Sequence, residues 1–342
     1  GGESHFLDWQ FVLTKTAANG KVLWSRGFDF ANSTQNAAII DHLIEDSEGK
    51  LVGTFTQLGA AGGKVHFTAF RYDPQSDQLL WVKNVRTPEA VSTPRILAET
   101  KTGGNFVVAY SLASMPQGSF SEVCELDRAT GNPVGNSALR YGPGVTFYGG
   151  TVHKGILYAN GLVRDTSTSS IATKNGYVKI DLSTGQPIDQ KILKTVSGSG
   201  VVGQAAVVGQ DEHLVSLLFS ADTAIWLRKT TLNGDVLWLK RYKIKGLPLA
   251  YVNTVGISAV SDGYVFALEF FDANSQYIGS GLHKADLGGN IVWAKQFDAL
   301  GVFWGRSPQI VEARGDHIYL TGVMDAPIQA PAKTTGALVA KL

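Results

Sequence analysis

The chain has one cysteine, Cys124, among its 342 residues. A single thiol cannot close an intrachain disulfide, and it supplies neither a zinc knuckle nor a redox pair. Stability therefore has to come from packing. An excess of one charge is missing as well. Thirty basic residues stand against 29 acidic ones, for a net charge of +1, so no positive field condenses onto phosphates and nucleic acid is not expected as a partner. No apolar run approaches the ~18 residues that cross a bilayer, and Gly1-Gly2-Glu3-Ser4 has no basic or apolar leader pattern. The expectation is a soluble chain without membrane insertion. Helical periodicity is absent too, since no stretch keeps a 3.6-residue apolar spacing for three turns. What the sequence does have is glycine, 39 residues of it, with a 44% hydrophobic share and 17% charged residues. That composition fits one large, turn-rich β domain spanning 1–342.

Self-comparison then sets the architecture. A phrase ending in apolar-apolar-Trp recurs as Leu13 to Trp24, Phe70 to Trp81, Leu227 to Trp238 and Leu282 to Trp293, each time across a turn signal. Two weaker copies, Val123 to Gly131 and Val178 to Gly185, keep the strand and the Thr-Gly turn but lack the Trp. Each copy reads as a β-hairpin. Between them lies a second hairpin, with six copies: Ile39 to Thr56, Arg95 to Leu112, Gly149 to Val163, Gln204 to Phe219, Thr254 to Phe270 and Gln309 to Val323. Their starts are spaced by 50 to 56 residues. With the strands lettered A-turn-B, loop, C-turn-D, the pattern predicts an all-β, six-bladed β-propeller of four-stranded antiparallel blades. The strand at Lys21 to Phe28 is expected to complete the blade begun at Gln309 to Val323, so that the two termini close the ring. Ala337 to Leu342 matches Phe11 to Thr16 and leaves a spare strand, either a fifth edge strand or part of a seventh blade.

Tyr177-Val-Lys-Ile-Asp-Leu-Ser-Thr-Gly185 and the stretch Lys229 to Trp238 resemble the repeats of quinoprotein-type propellers and of bacterial secreted β-propeller repeat proteins. The resemblance covers nearly the whole chain and implies a secreted or periplasmic protein. For quinoprotein dehydrogenases it would also imply pyrroloquinoline quinone over a vicinal cysteine disulfide, with calcium. The lone Cys124 departs from that pattern, and neither a cofactor nor a metal is expected.

In a propeller the D-to-A and B-to-C loops emerge on one face, around the central channel, whereas the A-to-B and C-to-D turns lie on the other. The repeated Trp24, Trp81, Trp238 and Trp293 occupy one position in strand D and read as interblade packing. The D-to-A loops hold other aromatics, among them Tyr148, Tyr251 and Trp304, the last beside Arg306. Such rings hold sugars or anchor a protein partner, or else tuck beneath their loops as satellite core. Asp165, Asp222, Asp272 and Asp325 follow strand B at one repeat position. They read either as an acidic rim or as residues capping their own backbone in Asx turns. The inner strands open with Gln204, Asn253 and Gln309, whose amides both donate and accept.

Nucleophile elbows, Walker loops and paired-histidine metal spacings are absent, and His153, His213 and His317 fall at A-to-B turns. The functional expectation is an extracytoplasmic module, monomeric or part of a larger assembly, that binds a glycan or a protein through the loop-rich face. The alternative is a carbohydrate-active enzyme at the same mouth, for which Asp41, Glu45, Glu99 and Glu312 on or near inner strands are the candidate carboxylates.

Overall fold

In the computed structural model the chain reverses where the sequence marks Asp and Gly. Residues 11–16, 22–28, 38–57, 66–85, 91–101, 103–112, 120–135, 139–142, 144–164, 173–193, 202–219, 224–244, 251–274, 277–298, 309–314 and 317–321 are described. At the first A-to-B turn, Asp46 Oδ1 accepts from the backbone N–H of Glu48 and of Lys50, each at 2.9 Å. At the C-to-D turns Asp127, Asp181 and Asp286 do the same for Thr130, Ser183 and Asn290, all at 2.8 Å. A carboxylate that satisfies two turn amides fixes the reversal and so the register of the hairpin.

Five complete four-stranded antiparallel sheets result. The first is β3 (Ala38–Glu45), β4 (Leu51–Gln57), β5 (His66–Asp73) and β6 (Gln78–Val85). The second is β7 (Val91–Glu99), β8 (Phe106–Leu112), β9 (Phe120–Leu126) and β10 (Leu139–Tyr141). The third holds β11 (Thr146–His153), β12 (Ile156–Arg164), β13 (Thr173–Asp181) and β14 (Gln186–Ile192). The fourth holds β15 (Val202–Val208), β16 (Leu214–Phe219), β17 (Ala224–Thr230) and β18 (Val236–Lys243). The fifth holds β19 (Tyr251–Val260), β20 (Gly263–Phe271), β21 (Tyr277–Asp286) and β22 (Ile291–Asp298).

Two hairpins remain as separate two-stranded sheets, β1 (Phe11–Thr16) with β2 (Val22–Phe28) and β23 (Gln309–Arg314) with β24 (His317–Thr321). The expectation of six or seven four-stranded blades is thereby corrected to five. Among the described residues each terminal hairpin pairs only within itself, and no ladder joins β24 to β1 or β2. Ala337 to Leu342, the expected spare strand, lies outside the described residues. The A strands stand side by side in chain order, β3 against β7, then β11, β15 and β19, with β23 lying against both β19 and β3.

The core sits between blades. Phe67, Ala69 and Trp81 of the first blade pack with Phe106, Val108, Tyr110 and Leu112 of the second in one buried cluster. The fourth and fifth blades share Leu217, Ile225 and Leu227 with Tyr264, Phe266 and Leu268. B strands are therefore buried on both faces: every residue of β8, Phe106 to Leu112, is buried. A near-continuous apolar run, and not simple alternation, is the physical consequence of burying a strand on two sides.

The repeated Trp marks the interblade joint. Trp81 is 6% exposed, and its indole Nε1 donates to the Arg128 carbonyl at 3.0 Å in the C-to-D turn of the next blade. Tyr141 OH donates likewise to Gly185 O at 2.9 Å, and Tyr242 OH to Gly289 O. The Gly131 and Gly289 turn residues have φ of 70° and 78°. A Cβ on Gly131 would lie 2.5 Å from Trp81 Cε3, and one on Gly289 would lie 2.9 Å from Trp238 Cη2. Left-handed backbone and ring contact together demand glycine there. The second apolar residue of each apolar-apolar-Trp phrase is a bulge, because Tyr72 pairs with Leu79 while Arg71 pairs with Trp81, leaving Leu80 over. Leu237 and Val292 are bulged in the same way.

Candidate functional site around the channel mouth

All six A strands are bulged. In β3 the register passes from Ile40 to His42, leaving Asp41 without an opposite residue. β7 has two register shifts, one between Val91 and Pro94 and one that leaves Arg95 over, and Tyr148 is the extra residue in β11, Gln204 in β15 and Val255 in β19. In β23, Val311 and Glu312 together stand opposite a single residue of β24. Every bulge falls in the first half or at the midpoint of its strand, on the side where the D-to-A loops enter. A bulge kinks the strand and turns the extra side chain out of the regular alternation. Six bulges at one level make a collar of Asp41, Arg95, Tyr148, Gln204, Val255 and Val311/Glu312 around the channel.

The expected site residues fall around this collar in two ways. Tyr148 and Tyr251 were expected in loops, but they belong to strands: Tyr148 is the half-buried bulge of β11, and Tyr251 is the first residue of β19. β11 and β19 begin three residues before the expected starts Gly149 and Thr254. The Tyr251 ring stacks on Phe271, centroids 4.5 Å apart and planes 8° from parallel. Asn253 Nδ2 donates to Glu269 Oε2 at 2.9 Å, and Glu269 is buried. Asp272 Oδ1 accepts from Asn274 N–H at 2.8 Å, which is the Asx turn. Tyr251, Asn253 and Asp272 thus lie together at the mouth of the fifth blade. Gln204 takes its place by backbone register. Asp165, Asp222, Asp325, Trp304 and Arg306 lie outside the described residues.

Arg95 and His42 were missed by sequence reasoning, and neither has a motif around it that marks it out. His42 Nε2 lies 3.2 Å from the Pro94 carbonyl. Burial, and then the neighbouring Arg95 charge, push its pKa down to about 4, so the ring is neutral at neutral pH. A count along strand A from its B-strand partner would have found the whole collar, but that count needs the register.

The candidate carboxylates separate. Asp41 and Glu312 stand at bulge level on the neighbouring strands β3 and β23. Glu45 and Glu99 end their strands at the opposite face. There Glu99 accepts from the Arg128 guanidinium at 2.5 Å and from Ser47 Oγ at 2.8 Å. Arg71 bonds Asp46 at 2.7 Å and Glu48 at 2.7 Å, and Arg128 bonds Glu48 at 2.8 Å. Both guanidiniums lie over the Phe106 ring, at 5.8 and 5.4 Å. With Asp46 fully buried, this is an interblade clasp, and the same strand position pairs Lys229 with Asp211 and Lys284 with Asp262. His153 and His213 also serve this face, at 2.9 Å from Glu212 and 3.4 Å from Asp211.

Cys124 is buried inside β9, within the core shared by the first two blades. Burial pushes its thiol up to about 11. A lone sulfur in the core does not fit a quinone seat at the channel.

No protein-family model matches the sequence, and no curated protein matches it. Among solved structures, a protein of unknown function from Dyadobacter fermentans DSM 18053 is similar, with a TM-score of 0.58 at 12% identity, covering 85% of this chain and 92% of that one. The chain is a β-propeller. A protein of unknown function from Bacteroides caccae matches this propeller at a TM-score of 0.48 and 13% identity, over 81% of this chain and 86% of that one. The Dos1 propeller matches at 0.44 and 12%, over 89% and 64%. At these identities the likeness is one of fold alone.

Proposed function

We propose that this propeller is a binding module whose ligand is a neutral, polyhydroxylated glycan end seated on the bulge collar at the loop-rich mouth. The observation that carries the reading is the coincidence of six A-strand bulges at one level, an arrangement that aims side chains where a regular ladder would not. Asp41, which is buried, Arg95 and Tyr148 come from consecutive blades and supply acceptor, donor and aromatic groups, and Gln204 holds the same backbone position in the next blade. Asp41 and Arg95 offset one another in charge, which favours hydroxyls over a strong ion. The aromatic and amide groups of Tyr251 and Asn253 extend the surface, and Trp304, Arg306, Asp165, Asp222 and Asp325 are proposed as further ligand contacts. A protein loop rich in hydroxyls and amides satisfies the same groups.

An extracytoplasmic location belongs to this reading and rests on the resemblance of the repeats to those of secreted propellers.

The test is a glycan array followed by titration of each hit against Tyr148→Ala and Arg95→Met proteins. Binding weakened about 10-fold or more in both, with unchanged melting, is the expected result. Equal affinity in both variants refutes the collar. A second reading, a glycoside-cleaving enzyme, is favoured by the adjacency of Asp41 and Glu312 at one level. Turnover of a polysaccharide that disappears in both Asp41→Asn and Glu312→Gln would establish it.

A further inference from the structure

The outer rim carries a feature unrelated to the channel mouth. Almost all exposed large aliphatics among the described residues lie in or beside D strands: Leu79 and Leu80, Val134 and Leu139, Ile188 and Ile192, Val236, Leu237 and Leu239, Ile291 and Val292. Among the described residues each D strand ends its sheet, so one row of its backbone N–H and C=O groups has no ladder there. Such an edge invites another strand unless it is blunted by shortness, proline or charge. β10 is three residues long, and β14 carries Pro187. β6, β18 and β22 each run eight residues without proline, and β18, Val-Leu-Trp-Leu-Lys-Arg-Tyr-Lys, is the one with three cations, which guard it against a basic strand but not against an acidic one.

Its two sides do different work. Trp238, Lys240 and Tyr242 alternate on the side toward the fifth blade. There Lys240 Nζ reaches Asn290 Oδ1 at 3.4 Å and Tyr242 OH donates to Gly289 O. The strand is thus held in place by its neighbour. The other side presents Leu237 at 48% exposure and Leu239 at 36%, followed by exposed Arg241 and Lys243. Arg241 is fixed over the Trp226 ring at 5.4 Å. From Val236 to Lys243 there are three cations and no carboxylate.

We infer that the edge of β18 is a docking strand for an extended segment of a partner protein that carries, at every second position, two acidic and then two aliphatic side chains. Main-chain bonds would supply affinity. Leu237 and Leu239 would receive two aliphatic side chains, and Arg241 and Lys243 two carboxylates. Charge decides against a second copy, because two β18 strands side by side would bring six cations together.

The probe is the synthetic peptide Glu-Thr-Glu-Thr-Val-Thr-Val, labelled and titrated by fluorescence anisotropy into the full chain, beside Lys-Thr-Lys-Thr-Val-Thr-Val. The acidic peptide is expected to bind at least 10-fold tighter, with affinity falling as salt rises. In the Arg241→Glu/Lys243→Glu protein the preference reverses. A Leu237→Ser/Leu239→Ser protein, checked for unchanged melting, weakens both peptides. Equal binding of the two peptides, or an acidic preference that survives charge reversal, overturns the inference. So does concentration-dependent dimerisation, or sedimentation with anionic phosphatidylserine vesicles, that is abolished by the same charge reversal while neither peptide binds.

Discussion

Substituting Gly131 by alanine tests how neighbouring blades are joined. The added Cβ meets Trp81 Cε3 at 2.5 Å, Trp81 Cδ2 at 2.6 Å and Lys83 Cγ at 2.9 Å. Ring and turn are both fixed by other contacts, so the overlap cannot be relieved by a free side-chain end. Overpacking of this kind costs about 1–3 kcal/mol. A left-handed φ of 70° adds about 1–2 kcal/mol for any residue with a Cβ. Gly103 provides the internal control, since its φ is 71° but a Cβ there meets nothing within 4 Å. Gly103→Ala should therefore show the backbone cost alone. Trp81→Ala by itself should cost about 3–5 kcal/mol from lost burial. The Arg128 carbonyl it leaves still accepts from Arg71 Nη1 at 3.4 Å, so no further penalty is assigned there.

In the Trp81→Ala background the ring contacts at Gly131 are gone, and the one that is left, Lys83 Cγ at 2.9 Å, belongs to a flexible side chain that can swing away. Gly131→Ala should then cost only what Gly103→Ala costs, and the double-mutant cycle should show a coupling of about 1–3 kcal/mol. Urea unfolding of the wild type, the three single variants and the double variant gives every term of this cycle. If Gly131→Ala is no worse than Gly103→Ala, or if the Trp81 and Gly131 costs add to within about 0.5 kcal/mol, the turn glycine is not there for the ring.

Two further predictions concern titration. His42 and His283 both sit at about 4, His42 through burial and then the Arg95 charge, His283 through burial against Phe266. Their unfolded value is near 6.5, so as pH falls the unfolded chain protonates first. Stability should decline from pH 6.5 to about 4 by up to about 3 kcal/mol per histidine and level off below. Urea melts of His42→Gln and His283→Gln across that range should each lose part of the slope, and an unchanged slope in both refutes the assignment. Carboxylates such as Glu48 and Glu212, held low by bonds from Arg71 and Lys154 first, contribute above their unfolded value. That contribution is lost only as pH falls from about 4 toward their folded values, which leaves the histidine window clear. Cys124, with its thiol near 11, should alkylate at pH 8 at least 100-fold more slowly in the native chain than in urea. Comparable rates would place the sulfur at the surface.

The sequence by itself determined the repeat, its period and the all-β class, because a blade's hairpins are local and their turns are written in Asp, Thr and Gly. It also marked the interblade role of Trp81 and Trp238, since a large ring recurring at one strand position has to pack against the next copy. It placed Gln204 and Asn253 on inner strands, and they lie on β15 and β19, whereas Tyr148, expected in a loop, is a strand bulge. Asp272 was legible as either rim or turn, and only the 2.8 Å bond from Asn274 chose the turn. Tertiary structure alone decided the collar. A bulge exists only relative to the partner strand, so neither Asp41, legible only as one of four candidate carboxylates, nor Arg95 is marked as a bulge until the ladders β3–β4 and β7–β8 are drawn. The blade count was decided there as well. The terminal hairpins resemble the other half-blades in sequence, but whether two half-blades fuse depends on backbone bonds between segments some 300 residues apart, and β1–β2 and β23–β24 each close on themselves.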